Sequence, residues 1–192
     1  MSIEMKSDLS ISVVLPVYLR QPDAAQVQLL RRALESILDQ EVPVEYEILV
    51  VDDGSPRPPS EFSDILGGAA HHVNWIRTPT NRGLVNALNT GIVAAKNSLI
   101  ARLDADDVWL PTKTEKQLAL FERDADLTIS ATGMSMVSTD GRPIAEHIRP
   151  GDWSGILRFF VDVGCPFPHG SVIAREEIYR LLGGFSHVAT FS

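Results

Sequence analysis

Short apolar runs alternate with stretches of helical periodicity through the first hundred residues. Ile11-Ser12-Val13-Val14-Leu15 is almost continuously apolar, as expected of a strand covered on both faces in a parallel sheet. Pro16 has no N–H, so the ladder is expected to stop there and a loop to begin. Asp23 is placed to cap a helix reaching Gln40, in which Val27, Leu30, Leu34, Ile37 and Leu38 share one stripe. Ile48-Leu49-Val50-Val51 predicts a second strand, cut off by Asp52-Asp53-Gly54-Ser55-Pro56. A short helix over 60–66 leads to a third strand from His72 to Arg77. The next helix carries Leu84, Ala87, Leu88 and Ile92 and ends near Lys96, and Ser98 to Leu103 predicts the fourth strand.

The second half is less regular. Pro111 suits the first position of a helix running to Arg123, with Leu118 and Phe121 facing inward. Leu127 to Val137 alternates as one strand, and Asp140-Gly141 predicts a hairpin turn into Arg142 to His147. Asp152 is a second candidate cap, for a helix containing Ile156, Leu157, Phe160 and Val161. An irregular stretch from Gly164 to Gly170 precedes a short strand, Ser171 to Ala174, and a helix from Arg175 to Leu182. Alternating strands and helices predict an α/β fold with a mostly parallel sheet flanked by helices, and a small hairpin in the second half.

Composition narrows the function without choosing one. At 192 residues, 44% hydrophobic and 22% charged, the chain fits one large domain, expected over 10–192 behind a flexible stretch at 1–9. Against 17 Lys and Arg stand 25 Asp and Glu, a net charge of −8, which argues against a nucleic-acid partner. The first ten residues lack the apolar core of a signal peptide, and no apolar run reaches the ~18 residues of a membrane span. A cytoplasmic setting is expected, with peripheral association at the inner face of a membrane compatible with it. Cys165 is the sole cysteine, so neither an internal disulfide nor a cysteine-based zinc site is available; beside Pro166 it is expected to be a small buried residue. His71 and His72 are neighbours and would point to opposite faces of a strand, which does not suit a shared metal. Trp75, Trp109 and Trp153 have no helical spacing and are expected in the core or a pocket wall.

The unusual polar residues follow the strands. Tyr18 follows the first, Asp52 and Asp53 the second, Asn81 and Arg82 the third, and Asp104, Asp106 and Asp107 the fourth. Ligands of open α/β sheets bind outside the carboxyl ends of the strands. Each of these turns has an ordinary structural explanation, but four on one edge favour a site. Clustered carboxylates call for a hard divalent cation such as Mn²⁺ or Mg²⁺, and such an ion neutralises a diphosphate. A tyrosine ring can stack on a base, and a carboxylate can accept from a base N–H or a ribose hydroxyl. Neither G-x-G-x-x-G nor G-x-x-x-x-G-K-[ST] occurs, which removes the usual glycine-loop phosphate sites.

Together, Ser12-Val-Val-Leu-Pro-Val-Tyr18, Ile48-Leu-Val-Val-Asp-Asp-Gly-Ser55, Asn81-Arg-Gly83 with Ala87 and Asn89, and Ile100-Ala-Arg-Leu-Asp-Ala-Asp-Asp107 with Trp109-Leu-Pro111 resemble a family 2 glycosyltransferase of the GT-A fold. His169-Gly-Ser-Val172 and Gly183-Gly-Phe185 extend the resemblance to nearly the whole chain. It implies a nucleotide-binding half over about 10–110 and an acceptor-side half over about 111–192. It also implies roles: Pro16 and Tyr18 line the base pocket, Asp53 binds the base, and Asn81 belongs to the donor pocket. Asp104 contacts the ribose or supports the metal, and Asp106 is the principal metal ligand. The implied reaction is inverting, metal-dependent transfer of a sugar from a nucleoside diphosphate sugar, UDP-sugar being the expected donor. The acceptor would be a hydroxyl on a glycan or a lipid-linked saccharide.

The chain departs from the family at the general base. The family carries an acidic pair after Gly-Gly-Phe, whereas Ser186 to Ser192 holds no acid and only His187 as a titratable side chain. A chain cut short at its C-terminus is the expectation, the alternative being a catalytically impaired protein. The base is therefore unassigned, with Glu146, Asp152, Glu176 and Glu177 as fallbacks, and His169 either lines the acceptor side or packs. Two rival functions remain: a nucleotidyltransferase, and a nucleotide-sugar-binding domain without turnover. Against the first, Val17 to Ala25 has one Arg20 and no glycine to hold a triphosphate.

Overall fold

A computed structural model of the chain describes residues 10–21, 23–138 and 141–186. Among them, β1 (Ile11–Val17), β2 (Tyr46–Asp52), β3 (Val73–Arg77), β4 (Leu99–Arg102), β5 (Ile129–Ser130) and β8 (Ile173–Arg175) form one sheet in the order β3-β2-β1-β4-β8-β5. The first four strands are parallel; β8 runs antiparallel to β4 and β5. Strands β6 (Met134–Val137) and β7 (Pro143–His147) make a separate two-stranded hairpin. The α/β expectation is met, down to the hairpin in the second half.

Every residue of β1 is buried, because helices cover both of its faces. On one face, Val13 and Leu15 pack with Val27, Leu30 and Leu34 of α1 (Ala24–Leu38), Leu66 of α2 (Ser63–Leu66), and Leu118 and Phe121 of α4 (Lys113–Arg123). On the other, Val14, Val51 and Ile100 meet Ala87 and Leu88 of α3 (Leu84–Ala94), with Tyr179 of α6 (Glu176–Leu182) beside them. A side chain as buried as Leu34 or Leu118 contributes about 1.5–3 kcal/mol by leaving water. Helix α3 approaches the sheet closely: a Cβ on Gly91 would overlap Val14 and come within 3.2 Å of Val51. Asp23 caps α1 as expected, its carboxylate accepting from the Gln26 N–H at 2.8 Å.

Several expectations need correction. Pro16 does not end β1; the strand continues to Val17, with Pro16 opposite Val51. The ladder survives because Val14 and Pro16 face β4, while Val17 faces β2. The Leu103 N–H donates to Val14 O, the Asp53 N–H donates to Val17 O, and β4 has already ended at Arg102. The missing N–H therefore falls where no partner strand remains. The single strand expected over 127–137 is two strands in different sheets. They part at Gly133, where a Cβ would stand 2.9 Å from His147 O, while the Thr132 N–H donates to Ser171 Oγ at 3.1 Å. Pro111 lies before the first turn of α4, whose cap position is Thr112. Helix α5 (Trp153–Asp162) is capped by Asp152 as expected, but buries no residue, and Trp153 is 70% exposed rather than in a core. His72 precedes β3 in a 3₁₀ turn. Asp140 of the expected hairpin turn, His187 and residues 1–9 lie outside the described residues.

The Gly-Gly-Phe segment is tied to α3 by one side chain. Asn89 donates through Nδ2 to Phe185 O at 2.9 Å and accepts at Oδ1 from the Phe185 N–H at 2.8 Å. Gly184 has φ +81, and a Cβ there would lie 2.5 Å from Asn89 Oδ1, so the close approach needs glycine. Replacing Asn89 with alanine should lower unfolding stability by about 1–3 kcal/mol, with Asn89→Asp at least as low because its second carboxylate oxygen would face Phe185 O in place of the donor. Urea unfolding of the three proteins checks this; equal midpoints would contradict it.

Candidate functional site

The strand order reverses at β1: β2 and β3 lie to one side and β4 to the other. The carboxyl ends of β1, β2 and β4 thus open onto one crevice, the place where an open α/β sheet accepts a ligand. Tyr18 stands at the end of β1 with 41% of its surface exposed, while Pro16 below it is buried.

Asp52 and Asp53, adjacent in sequence, serve different loops. Asp52 is 2% exposed; its Oδ1 accepts from the Ser55 N–H at 2.9 Å and its Oδ2 lies 3.5 Å from Arg77 Nε. Ser55 Oγ in turn accepts from the Leu19 N–H at 2.8 Å, so Asp52 steadies the segment after Tyr18. Asp53, 3% exposed, reaches across to the loop after β3. It accepts from Thr78 Oγ1 at 3.0 Å, from the Arg82 N–H at 3.0 and 3.1 Å, and from the Gly83 N–H at 2.7 Å. These N–H groups lie just before α3, whose cap position is Gly83, so the carboxylate also meets the positive end of that helix. Asn81 is exposed, and its Oδ1 accepts from the same Gly83 N–H at 3.1 Å. Gly54 lets the two loops touch: at φ +71, a Cβ would lie 2.5 Å from the Thr80 carbonyl carbon.

The segment from Asp104 to Asp107 is held between two buried side chains, Leu103 and Trp109, and turned by a bond from the Asp107 N–H to Asp104 O at 3.1 Å. Ser36 of α1 and Gln40, just past the end of that helix, clamp the residues beyond the turn. Ser36 Oγ accepts from the Trp109 N–H at 3.1 Å, and Gln40 donates to Leu110 O and accepts from the Thr114 N–H, both at 2.9 Å. Asp107 is exposed as a residue, but partial desolvation on its protein side, and then the Asp104 and Asp106 carboxylates, raise its carboxyl above the ordinary range, against an opposing pull from Arg102. Arg102 pairs with Asp104 alone, so the charge of the three neighbouring carboxylates is only partly offset. The donor set of carboxylate oxygens suits a hard ion. Among the described residues no group of three or more His, Cys, Asp or Glu side chains is placed to hold a metal ion by itself. Asp104 and Asp106 could hold such an ion only if a ligand supplied its remaining oxygens.

Some of what shapes the site was not foreseen. Arg102, 6% exposed, donates through Nε and Nη2 to Asp104 Oδ1 at 3.1 and 2.8 Å, and its Nη1 lies 3.0 Å from His169 Nδ1. His169 Nε2 lies 3.4 Å from Cys165 Sγ. A guanidinium only donates, so His169 Nδ1 accepts and its ring proton sits on Nε2, toward the sulfur. His169 is exposed as a residue, but desolvation of its ring on the Arg102 side, and then Arg102 itself, push the imidazole pKa below its ordinary value, which agrees with a neutral ring. Cys165 is an exposed free thiol, not the buried residue expected, because the loop around Pro166 turns it outward toward His169. Gly170 packs against the acidic segment: a Cβ there would lie 2.9 Å from Asp107 Oδ2, and its carbonyl accepts from Trp109 Nε1 at 3.1 Å. Period-two alternation along β4 puts Arg102 on the face of Ile100, a signal available in the sequence; the pairing with His169, 67 residues away, had none. Of the fallback bases, Asp152 is spent capping α5, Glu146 is exposed on β7, and Glu176 and Glu177 occupy the first turn of α6.

The family model for glycosyl transferase family 2 matches residues 12–181. The chain is 29% identical over 187 residues to a putative glycosyltransferase, EpsE, of Bacillus subtilis, covering 96% of this chain and 63% of that protein. It is 27% identical to the amylovoran biosynthesis glycosyltransferase AmsE of Erwinia amylovora, covering 82% of this chain and 58% of that one. Among solved structures, S. aureus TarS in complex with UDP superposes with a TM-score of 0.68 at 17% identity, over 91% of this chain and 49% of that one. A mannosyltransferase from Pyrobaculum calidifontis in complex with GDP-Man and Mn²⁺ gives 0.63 at 20% identity, over 92% and 47%. The fold is that of GT-A glycosyltransferases, and the chain spans less than two-thirds of the length of these relatives.

Lys113 offers a test of how the segment after the acidic turn is seated. Its Nζ is buried without a hydrogen-bond partner, 3.9 Å from the centre of the Trp109 ring, and burial pushes its pKa down to about 7. The unfolded chain keeps that proton up to an ordinary value of 10.5. Between about pH 7 and 10.5 the unfolded state therefore binds more protons, and stability should rise with pH. Lys113→Met should raise stability at pH 7 by on the order of 1–3 kcal/mol and flatten that rise. Thermal unfolding from pH 6.5 to 10 reads both; an unchanged pH slope would show that Lys113 is not buried as described.

Proposed function

The chain belongs to glycosyltransferase family 2, and on that premise we propose that it transfers a sugar from a nucleoside diphosphate sugar to a hydroxyl of an acceptor. The carrying observation is the charge at the end of β4. Asp104, Asp106 and Asp107, offset only by the buried Arg102, stand at the crevice where the strand order reverses. UDP-sugar is the proposed donor, supported by structural neighbours that hold UDP, UDP-GlcNAc or GDP-Man. The proposed acceptor is a glycan or a lipid-linked saccharide at the cytoplasmic face of a membrane. Relatives named for amylovoran and succinoglycan biosynthesis support a polysaccharide pathway. Among the described residues no helix is long and apolar enough to cross a membrane.

In this reading the nucleotide-binding half is about 10–110, and the described residues beyond it belong to the acceptor-side half, about 111–192. Tyr18 stacks on the base above Pro16, and Asp53, with Asn81 beside it, sets the rim of the base pocket through the start of α3. Asp106, with Asp104, would hold Mn²⁺ or Mg²⁺, which supplies positive charge to the leaving diphosphate. The acceptor oxygen forms its bond to the anomeric carbon as the bond to the diphosphate oxygen breaks, with inversion at that carbon. The acceptor's proton passes to a base outside this assignment.

Calorimetry with UDP, GDP and CDP, with Mn²⁺ and again with EDTA, should show metal-dependent binding of one nucleotide. Asp106→Ala should weaken that binding at least tenfold and remove its metal dependence, and Asp53→Ala should blunt the choice of base. Absence of binding to all three nucleotides with Mn²⁺ present would overturn the reading. Binding without any donor hydrolysis would favour a binding module, and turnover of a nucleoside triphosphate would favour a nucleotidyltransferase.

A further inference from the structure

The polar side chains around the acidic turn form a line that crosses from one half of the chain to the other. It runs from Cys165 Sγ to His169 Nε2, from His169 Nδ1 to Arg102 Nη1, and from Arg102 Nε and Nη2 to Asp104 Oδ1. Arg102 is 6% exposed, and the side chain of Asp104 is 34% exposed. The guanidinium is thus fixed inside the protein and presents the carboxylate outward. Both Arg102 contacts fall on Oδ1, so Oδ2 is left turned toward Gly170 and the turn that carries Asp107. An aspartate with two like charges within three residues would otherwise rotate away from them. A guanidinium is planar, and its fork can hold one carboxylate orientation only if the plane itself is held. His169 is the side chain that holds it, from the opposite end of the guanidinium. Two further contacts seat the same loop: Trp109 Nε1 donates to Gly170 O at 3.1 Å, and the Arg102 N–H donates to Val172 O at 3.1 Å.

We propose that Arg102 is the positioning residue of the donor site, that His169 orients it, and that the seating of the 164–170 loop thereby sets how tightly Asp104 and Asp106 hold a divalent cation. This deepens the reading above and rests on it. It makes the acceptor-side loop a control on donor binding: a ligand that moves His169 would loosen the cation, and one that seats it would tighten it. By reciprocity, a bound cation favours the seated loop.

The test compares wild type, His169→Leu, which removes the acceptor at similar size, and His169→Asn, whose side-chain oxygen can still accept from Nη1. Far-UV circular dichroism first establishes that all three are folded. Two readouts are then taken without nucleotide: exchange of the Arg102 Nε–H by NMR, and binding of Mn²⁺ alone by water-proton relaxation. A third is the calorimetric affinity for UDP with and without Mn²⁺. His169→Leu should speed Arg102 exchange and weaken Mn²⁺ binding about tenfold. His169→Asn should return both to within about threefold of wild type, and UDP affinity in EDTA should be the same in all three. Arg102 exchange unchanged in His169→Leu, or faster exchange with unchanged Mn²⁺ binding, overturns the proposal. If wild type binds Mn²⁺ but no nucleotide, the proposed function falls, and the two nucleotide-free readouts still decide whether His169 and Arg102 position Asp104.

Discussion

The parallel pairing of β1 with β2 on one side and β4 on the other is the constraint on which the rest of the molecule depends. It buries β1 from Ile11 to Val17 and obliges helices to cover both faces of the sheet. It also brings the ends of three strands together at one edge. The bond from the Asp53 N–H to Val17 O, and that from the Leu103 N–H to Val14 O, fix where the two acidic turns leave the sheet. A slip of one residue in either pairing would turn the acidic side chains to the other face. Even Pro16 obeys this geometry, since its missing N–H points to the side where β4 has already ended.

Charge is the second organising quantity. Concentrating Asp104, Asp106 and Asp107 in one turn costs stability, and the protein offsets only part of that cost with Arg102. The remaining negative charge is directed outward by neutral contacts: Ser36 of α1 and Gln40 just past its end grip the chain after the turn, and Trp109 binds Gly170 across it. The turn is therefore rigid at both ends while staying open to solvent. Lys113 adds a buried amine a few residues on, but it faces the Trp109 ring rather than the carboxylates. Its burial without a hydrogen-bond partner is consistent with a region arranged for something other than stability.

Much of the fold was legible where its signals are local. The buried runs at 11–15 and 48–51, the caps at Asp23 and Asp152, and the stripe of α1 depend on neighbours within a few residues. The acidic turn was legible for the same reason, as three carboxylates within four positions. The second half was harder, because its local pattern does not say which sheet a strand joins. The stretch 127–137 alternates throughout, yet Gly133 and the hold of Ser171 on Thr132 divide it between two sheets. Helix α5 has an apolar stripe of the usual kind, and periodicity alone cannot say that the stripe remains uncovered.

The sequence by itself determined the alternation of strands and helices, and hence the class of fold. It also determined that carboxylates would follow the second and fourth strands, since period and turn chemistry are properties of adjacent residues. Tertiary structure alone decided what those carboxylates do. Asp53 is turned onto the start of α3, Asp104 is held by a guanidinium, and that guanidinium is held by an imidazole 67 residues away. The reason is physical: the direction of a side chain depends on the partner that reaches it, and these partners are brought together only when the sheet closes around β1.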